Sequence, residues 1–352
     1  MIGNRRYSLE NRRYIGCKSK LTDWIFELIG EHTVGVNSFC DIFAGTGVVA
    51  NRALCLYDKV IVNDFLYSNN AIYDAFWNQG EWSEEKLELL INEFNKLDVN
   101  ELPKNYFSIN YGGKYFDEST ARIVGFIRDK IQDIREELTE KEHAILLASL
   151  IFSIDRLANT LGHFEAYIKK DIVPHSFEMR MIDAKTYDNV EIFQQDANKL
   201  AREVHVDLTY LDPPYNSRQY SRFYHVYENL VQWKKPELFG TACKPKTENM
   251  SDYCRCNALN AFIDLVCRID SRYLVVSYNN TYHSKSKSSE NKIKLEEIED
   301  VLSRCGDTKI FTHQYSPFNS GKTEFKDHKE YLFITEVDNE KRNSAFASVL
   351  CR

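Results

Sequence analysis

The 352-residue chain carries a formal net charge of −7 and a pI of about 5.8, which argues against attraction of nucleic acid to its whole surface and leaves that task to local basic strips. Its 43% hydrophobic and 28% charged residues are those of a soluble globular protein with one large core or two smaller ones, and no apolar run is long enough to span a bilayer. The stretch Met1 to Tyr7 has no hydrophobic segment after its basic residues, so no secretory signal is expected, and nine cysteines, an odd number, read as free thiols in a reducing, cytoplasmic compartment.

In chain order, the first strong βα unit runs from a strand at Val36 to Phe43, through the glycine turn Ala44-Gly45-Thr46-Gly47, to a helix at Val48 to Leu56. A second strand covers Lys59 to Val62 and stops at Asn63-Asp64, and Tyr67 to Trp77 reads as a helix. The α/β alternation then ceases. Ser83 to Leu97, Glu118 to Leu138 and Glu140 to Ala158 carry helical periodicity, with Ser83 before Glu84, Glu85 and Lys86 as a helix start. Residues 72–186 are therefore read as a helical insertion in a catalytic domain made of 1–71 and 187–352. Alternation resumes with a strand at Val190 to Asp196, a short helix, and the apolar strand Val206 to Leu211. A helix near Cys256 to Ile269, a strand at Tyr273 to Tyr278 and a helix near Leu295 to Arg304 follow. The strands Lys309 to Tyr315 and Glu330 to Thr335 have no helix between them and are expected to pair antiparallel. Lys234 to Asp252 and Tyr282 to Asn291 read as long loops, the kind that carries function or moves.

Asp212-Pro213-Pro214-Tyr215 closes the strand at Val206 to Leu211. An exocyclic amine on a flat ring is a poor nucleophile, because its lone pair is delocalised. Two acceptors holding its two hydrogens draw the nitrogen towards tetrahedral geometry. Asp212 offers a carboxylate oxygen, the Pro213 carbonyl offers a second acceptor, the prolines stiffen the turn, and Tyr215 offers a stacking face. The same four residues also suit an ordinary strand-ending turn. Phe43-Ala44-Gly45-Thr46-Gly47 lets backbone approach a ligand, but the full dinucleotide fingerprint and the phosphate-loop lysine are absent. Asp64 ends the second strand, where an acid commonly accepts from ribose hydroxyls, and Asp196 ends the third, where it can accept from an adenine amino group or cap a helix.

Basic residues cluster at Arg5, Arg6, Arg12, Arg13, Lys18 and Lys20, at Lys169 and Lys170, and at Lys285, Lys287, Lys292 and Lys294, against acidic stretches from Glu81 to Glu101 and Glu296 to Asp300. Each cluster reads as a solvated face or a phosphate contact. Cys243, Cys254 and Cys256 lack a fourth ligand at short spacing, so no metal is expected.

These residues together resemble the N6-adenine DNA methyltransferases of restriction–modification systems, the D12, α-arranged class that includes Dam-like and FokI-like methylases. Arg13 to Lys20 looks like the family's amino-terminal cofactor motif, with Tyr14 and Lys18 at its contact positions. Asp41, Phe43, Ala44, Gly45, Thr46 and Gly47 look like its cofactor loop, Asp64 and Asp196 like its ribose and adenine contacts, and Asp212 to Tyr215 like its catalytic tetrapeptide. Asn216 to Tyr220 with Tyr224-His225, Asn159 to Tyr167, and Ser277-Tyr278-Asn279-Asn280 resemble the FokI-like branch. The resemblance implies a Rossmann-like methyltransferase fold with a mixed seven-stranded sheet and an antiparallel C-terminal strand. It implies S-adenosylmethionine as cofactor, a flipped adenine in double-stranded DNA as substrate, a cognate restriction endonuclease as functional partner, and no membrane. The helical insertion falls where Dam-like enzymes carry target recognition, with Arg122, Arg128, Asn159, His163 and Lys169 as candidates to meet DNA. For Arg122 and Arg128 the competing reading is a solvated helix face. Arg218 and Arg222 are phosphate candidates because the catalytic turn fixes their place, and Tyr220 is either a DNA contact or a packing aromatic. An RNA adenine methyltransferase and a catalytically inactive nucleic-acid-binding relative are the alternatives. No nuclease segment is recognised, so cleavage is not expected.

Overall fold

Among the described residues, seven strands make one mixed sheet: β1 (Ser38–Asp41), β2 (Lys59–Asn63), β3 (Val190–Phe193), β4 (His205–Leu211), β5 (Asp270–Asn279), β6 (Gly306–Gln314) and β7 (Lys329–Val337), in spatial order β3-β2-β1-β4-β5-β7-β6. The computed structural model describes residues 6–170, 172–280, 290–314 and 328–350. Arg5, Lys285, Lys287, Tyr315 and most of the expected loop from Tyr282 to Asn291 lie outside the described residues.

β1 to β5 run parallel, with Cys40 opposite Ile61 and Thr209, and Tyr210 opposite Val275. Burial is nearly continuous along β1, β2, β4 and β5, as for strands covered on both faces. β7 pairs antiparallel with both β5 and β6, which is the expected antiparallel C-terminal pairing. Its slot between β5 and β6 is not legible from strand order along the chain. The core joins Cys40, Ile42, Ile61, Leu211, Leu274 and Val276 on strands to apolar faces of helices Ala197–Leu200, Ala258–Arg268 and Leu295–Cys305. The sequence reading omits helix Thr22–His32. Its signal is present, since Leu21, Ile25, Phe26 and Ile29 fall at helical spacing and are all buried.

All seven strands belong to one compact unit formed by 16–65, 189–219 and 249–352; the other comprises 1–15, 66–188 and 220–248. The helical unit thus begins at 66 rather than 72 and also takes in 1–15 and the segment after the catalytic turn. Its centre is helix Glu140–Asp155, buried along almost its whole length. Helix Tyr67–Trp77 is held at both ends by remote side chains. Glu228 accepts from the amides of Tyr67 (3.1 Å) and Ser68 (2.7 Å), and Lys141 Nζ donates to the carbonyls of Asp74 (3.0 Å) and Asn78 (2.8 Å).

One expectation for this unit is corrected, that for Arg128. Arg128 neither meets solvent nor offers itself to DNA: it is 1% exposed, and its Nε and Nη2 donate to the carbonyls of Leu230 (2.7 Å) and Val231 (3.1 Å) at the end of helix His225–Gln232. Burial lowers its pKa to about 10, which still leaves it charged. Arg122 is half-buried and turns its Nη1 towards the carbonyls of Val99 and Leu102. The orphan carbonyls of a packed helix end and a loop attract these guanidiniums more strongly than periodicity can reveal. Among the described residues no helix is long and apolar enough to cross a membrane, and the eight described cysteines are unpaired.

Candidate active site

Because β1 to β5 are parallel, their carboxyl ends share one edge of the sheet. Open α/β sheets bind ligands there. Asp41 ends β1, and the loop that follows turns through Gly45 (φ 56°) and Gly47 (φ 80°), backbone that favours glycine. Asp64, just past β2, accepts from the Gly45 amide at 2.9 Å and ties the loop to the next strand end. Gly47 N donates to Ala44 O at 2.7 Å, Ala44 N to Asn63 O at 2.9 Å, and the hydroxyl of buried Thr46 donates to Cys17 Sγ at 3.7 Å. Phe43 meets Tyr253 edge to face, with ring centroids 4.9 Å apart.

Buried Asn63 clips three strand ends together. Its Nδ2 donates to Ile42 O (3.0 Å) and Gln195 O (3.2 Å), and its Oδ1 accepts from Gln195 N (3.0 Å). In the sequence Asn63 is overshadowed by the neighbouring Asp64. Its only signal is an amide ending an otherwise apolar strand. Asp196 caps helix Ala197–Leu200 through the amides of Asn198 and Lys199, which leaves open a second role for the carboxylate. Asp41 is buried; no hydrogen bond of ordinary geometry reaches its carboxylate oxygens among the described residues, although the backbone amides of Ala50 and Phe43 lie close enough to favour its ionised form. Burial, followed by the charges of Asp212 and Asp64, pushes its pKa well above the usual carboxylate range. A buried carboxyl so loosely held beside a glycine loop suits a ligand that brings its own donors and positive charge.

Asp212 follows β4 and sits in a buried charge cluster. Lys18 Nζ is 3.0 Å from Asp212 Oδ1, 2.9 Å from Oδ2 and 3.2 Å from Glu330 Oε1. The Tyr215 hydroxyl donates to Asp212 and is also in contact with the Lys18 ammonium. The ammonium lies 4.9 Å from the Tyr215 ring centroid, and Tyr278 meets that ring edge-on at 4.9 Å. Burial opposes the charge on Lys18, but the carboxylates of Asp212 and Glu330 outweigh it and raise its pKa. Burial pushes the Asp212 pKa up to about 6; Lys18 pulls it down and Glu330 pushes it further up. The sequence reading assigned Lys18 to the cofactor, whereas here its ammonium engages the tetrapeptide. Glu330 carries no assigned role in the sequence, whereas its hydrogen-bond donor Ser277 (2.8 Å) opens the family-like stretch Ser277-Tyr278-Asn279-Asn280. An acid opening an apolar strand was the available signal.

The model of the D12 class N6 adenine-specific DNA methyltransferases matches residues 14–328. The chain belongs to this family. It is 31% identical to the type II methyltransferase M.FokI of Planomicrobium okeanokoites, over 94% of this chain and 54% of that protein. It is 27% identical to the type II methyltransferase M.NlaIII of Neisseria lactamica, over 92% of this chain and 98% of that protein. To the modification methylase LlaI of Lactococcus lactis subsp. lactis it is 27% identical, over 89% of this chain. The chain spans about half the length of the LlaI and FokI proteins, 52% and 54%, and nearly all of the NlaIII one. The mixed sheet described above is the α/β fold expected of a D12-class methyltransferase.

The remaining residues implied by the D12-class resemblance are variously engaged. Tyr14 belongs to the helical unit, where its ring stacks on Tyr224 (4.4 Å, 7°) and on Tyr220 (5.5 Å, 28°), with the Arg12 guanidinium 5.0 Å from its centroid. Tyr220 is half-buried in this stack. Asn159 is half-buried and donates to the carbonyls of Lys114 (3.0 Å) and Ile168 (2.9 Å), holding its own loop. His163 stacks on Phe223 at 4.6 Å, while Phe164 is buried. Arg222 is half-buried and donates to Pro245 O at 2.7 Å. Arg218 is half-buried, its amide bonded to Asn216 Oδ1, and Lys169 is exposed.

Proposed function

We propose that this chain transfers a methyl group from S-adenosylmethionine to the N6 amine of an adenine flipped out of double-stranded DNA, at one short sequence, as the modification member of a pair with a cognate restriction endonuclease. The observation that carries this reading is the place of Asp212-Pro213-Pro214-Tyr215 at the end of β4, next in the sheet to the Asp64-tethered glycine loop after β1. Gly45, Gly47, Asp64, Asp196 and the carboxyl of Asp41 are the residues proposed to hold the cofactor, with Phe43, Ala44 and Thr46 shaping its loop. Bound there, S-adenosylmethionine would supply an electrophilic methyl group.

The chain's own residues then act on the amine. Asp212 and the Pro213 carbonyl accept its two hydrogens and direct its lone pair. Tyr215 offers its ring to the face of the base, after the Lys18 ammonium yields. Extrusion of the adenine costs a few kcal/mol, about what one stacked ring and two edge hydrogen bonds offset. The methylated amine is cationic and readily loses its extra proton, so a carboxylate of ordinary basicity suffices. The helical unit is proposed as the target recognition region, with Lys169 and Arg218 as phosphate contacts and Asn159, His163, Tyr220 and Arg222 holding the loops that meet DNA.

The test is incubation with S-adenosylmethionine and unmethylated duplex DNA, followed by nucleoside analysis and mapping of the modified positions. N6-methyladenine at one recurring sequence is expected. Product on structured RNA alone selects an RNA methyltransferase, and cofactor binding without any product selects an inactive relative. Asp212 must be ionised to accept from the amine, and its pKa lies at about 6. The single-turnover rate is therefore expected to rise with pH through that value and then level off, and a rate constant between about pH 5 and pH 8 excludes this role for Asp212.

A further inference from the structure

Glu330, the second residue of β7, is buried, with its Oε1 3.2 Å from Lys18 Nζ. The same oxygen accepts from Ser277 Oγ at 2.8 Å, and the two residues are diagonal neighbours across the β5–β7 pair. Lys18 meanwhile reaches both oxygens of Asp212. A carboxylate held in this way has its best acceptor positions taken. To receive an amine it must release the ammonium, and a buried ammonium stripped of its counter-charge is strongly unfavourable. A second carboxylate at the same ammonium removes that penalty.

We propose that Glu330 is a positioning residue for methyl transfer, taking over the Lys18 ammonium as the incoming amine claims Asp212. This rests on the reading of Asp212 as the amine acceptor. The exchange needs only a small displacement of one flexible side chain, because Lys18 already touches both acids. Ser277 keeps Glu330 turned towards the ammonium while Asp212 changes partners. Without the charge on Glu330, Lys18 would pair with Asp212 one to one and hold the acceptor closed.

The groups facing Glu330 are Lys18 from the segment before helix Thr22–His32, Asp212 and Tyr215 after β4, Tyr210 on β4, Ser277 on β5 and His328 beside β7. Asp41 on β1 acts on the same cluster through Asp212. Burial lowers the pKa of His328 while Glu330 raises it and Lys18 lowers it, and the Lys18 ammonium is the positive charge in contact with both acids.

Glu330→Gln keeps the size of the side chain and an acceptor for Ser277 while removing the charge. Its single-turnover rate is expected to fall about 10- to 100-fold, with KM for duplex DNA and affinity for S-adenosylmethionine changed less than about threefold. The acid limb of the rate should move to lower pH, since losing a nearby negative charge makes Asp212 easier to ionise. Glu330→Asp, which keeps the charge, should recover part of the rate and the original limb. A purely structural Glu330 would lower the thermal midpoint in both variants and leave the plateau rate of the folded enzyme at its wild-type value, which overturns the proposal. Wild-type rate and limb in Glu330→Gln, with Asp212→Ala inactive, overturn it too but leave the reading of Asp212 standing. An active Asp212→Ala removes that reading itself. Should Glu330→Gln fail to fold, Ser277→Ala decides: a several-fold slower rate at unchanged cofactor affinity supports the proposal, and an unchanged rate overturns it.

Discussion

Replacing Asp212 by alanine is expected to slow methyl transfer about a thousandfold or more while changing affinity for S-adenosylmethionine less than about threefold. The variant loses the one ionised acceptor of the tetrapeptide and with it the alignment of the lone pair. It should nevertheless fold, because Lys18 keeps Glu330 at 3.2 Å and is not left as an uncompensated buried charge. The glycine loop, Asp64 and Asn63 are untouched, so the proposed cofactor side of the site persists. Single-turnover transfer to duplex DNA, paired with calorimetric titration of the cofactor, measures both quantities on the same preparation. Full activity in Asp212→Ala sinks the mechanism. Loss of activity together with cofactor binding would instead mean that Asp212 serves the cofactor.

Asn63→Ala is expected to be the most damaging single change on the cofactor side. It strands the carbonyls of Ile42 and Gln195 and the amide of Gln195, all served by one buried side chain. Two or three unmade hydrogen bonds of this kind cost about 2–4 kcal/mol in total, allowing for partial rescue by water. The strand ends that carry Asp64 and Asp196 then lose their mutual registration, so cofactor affinity should drop about tenfold or more. Urea unfolding reads the first effect and calorimetry the second. An unchanged midpoint with unchanged affinity would reduce Asn63 to an ordinary strand terminus.

Much of the site was legible along the chain. Strands β1, β2, β4 and β5 announce themselves as short apolar runs, and each of the first four strands ends at or just before an acid or a glycine turn. Helix Tyr67–Trp77 falls on its expected residues. The antiparallel pairing of β6 and β7 is the one expected from the short sequence that joins them, which carries no helical pattern. Asn63 and Glu330 were not legible as site residues, because an amide and an acid at strand positions carry no spacing signature, and Ser277 stood out only as the start of a family-like stretch. Arg128 was misread for a related reason. On a helix, a guanidinium that caps another helix across a core looks the same in sequence as one facing water.

The sequence by itself determined the local chemistry: which segments are strands, where the glycine loop bends, and which acids stand at strand ends. These features depend on residue periodicity and turn preferences, which act over a few residues. Tertiary structure alone decided that β7 slides between β5 and β6, which sets Glu330 diagonal to Ser277 and brings it to Lys18. It also decided that one ammonium is shared by Asp212 and Glu330, and that Glu228 and Lys141 close the ends of a helix far from them in the chain. Such contacts join residues tens to hundreds of positions apart. Their formation depends on sheet order and on the need to compensate buried charge, and neither is written in any local pattern.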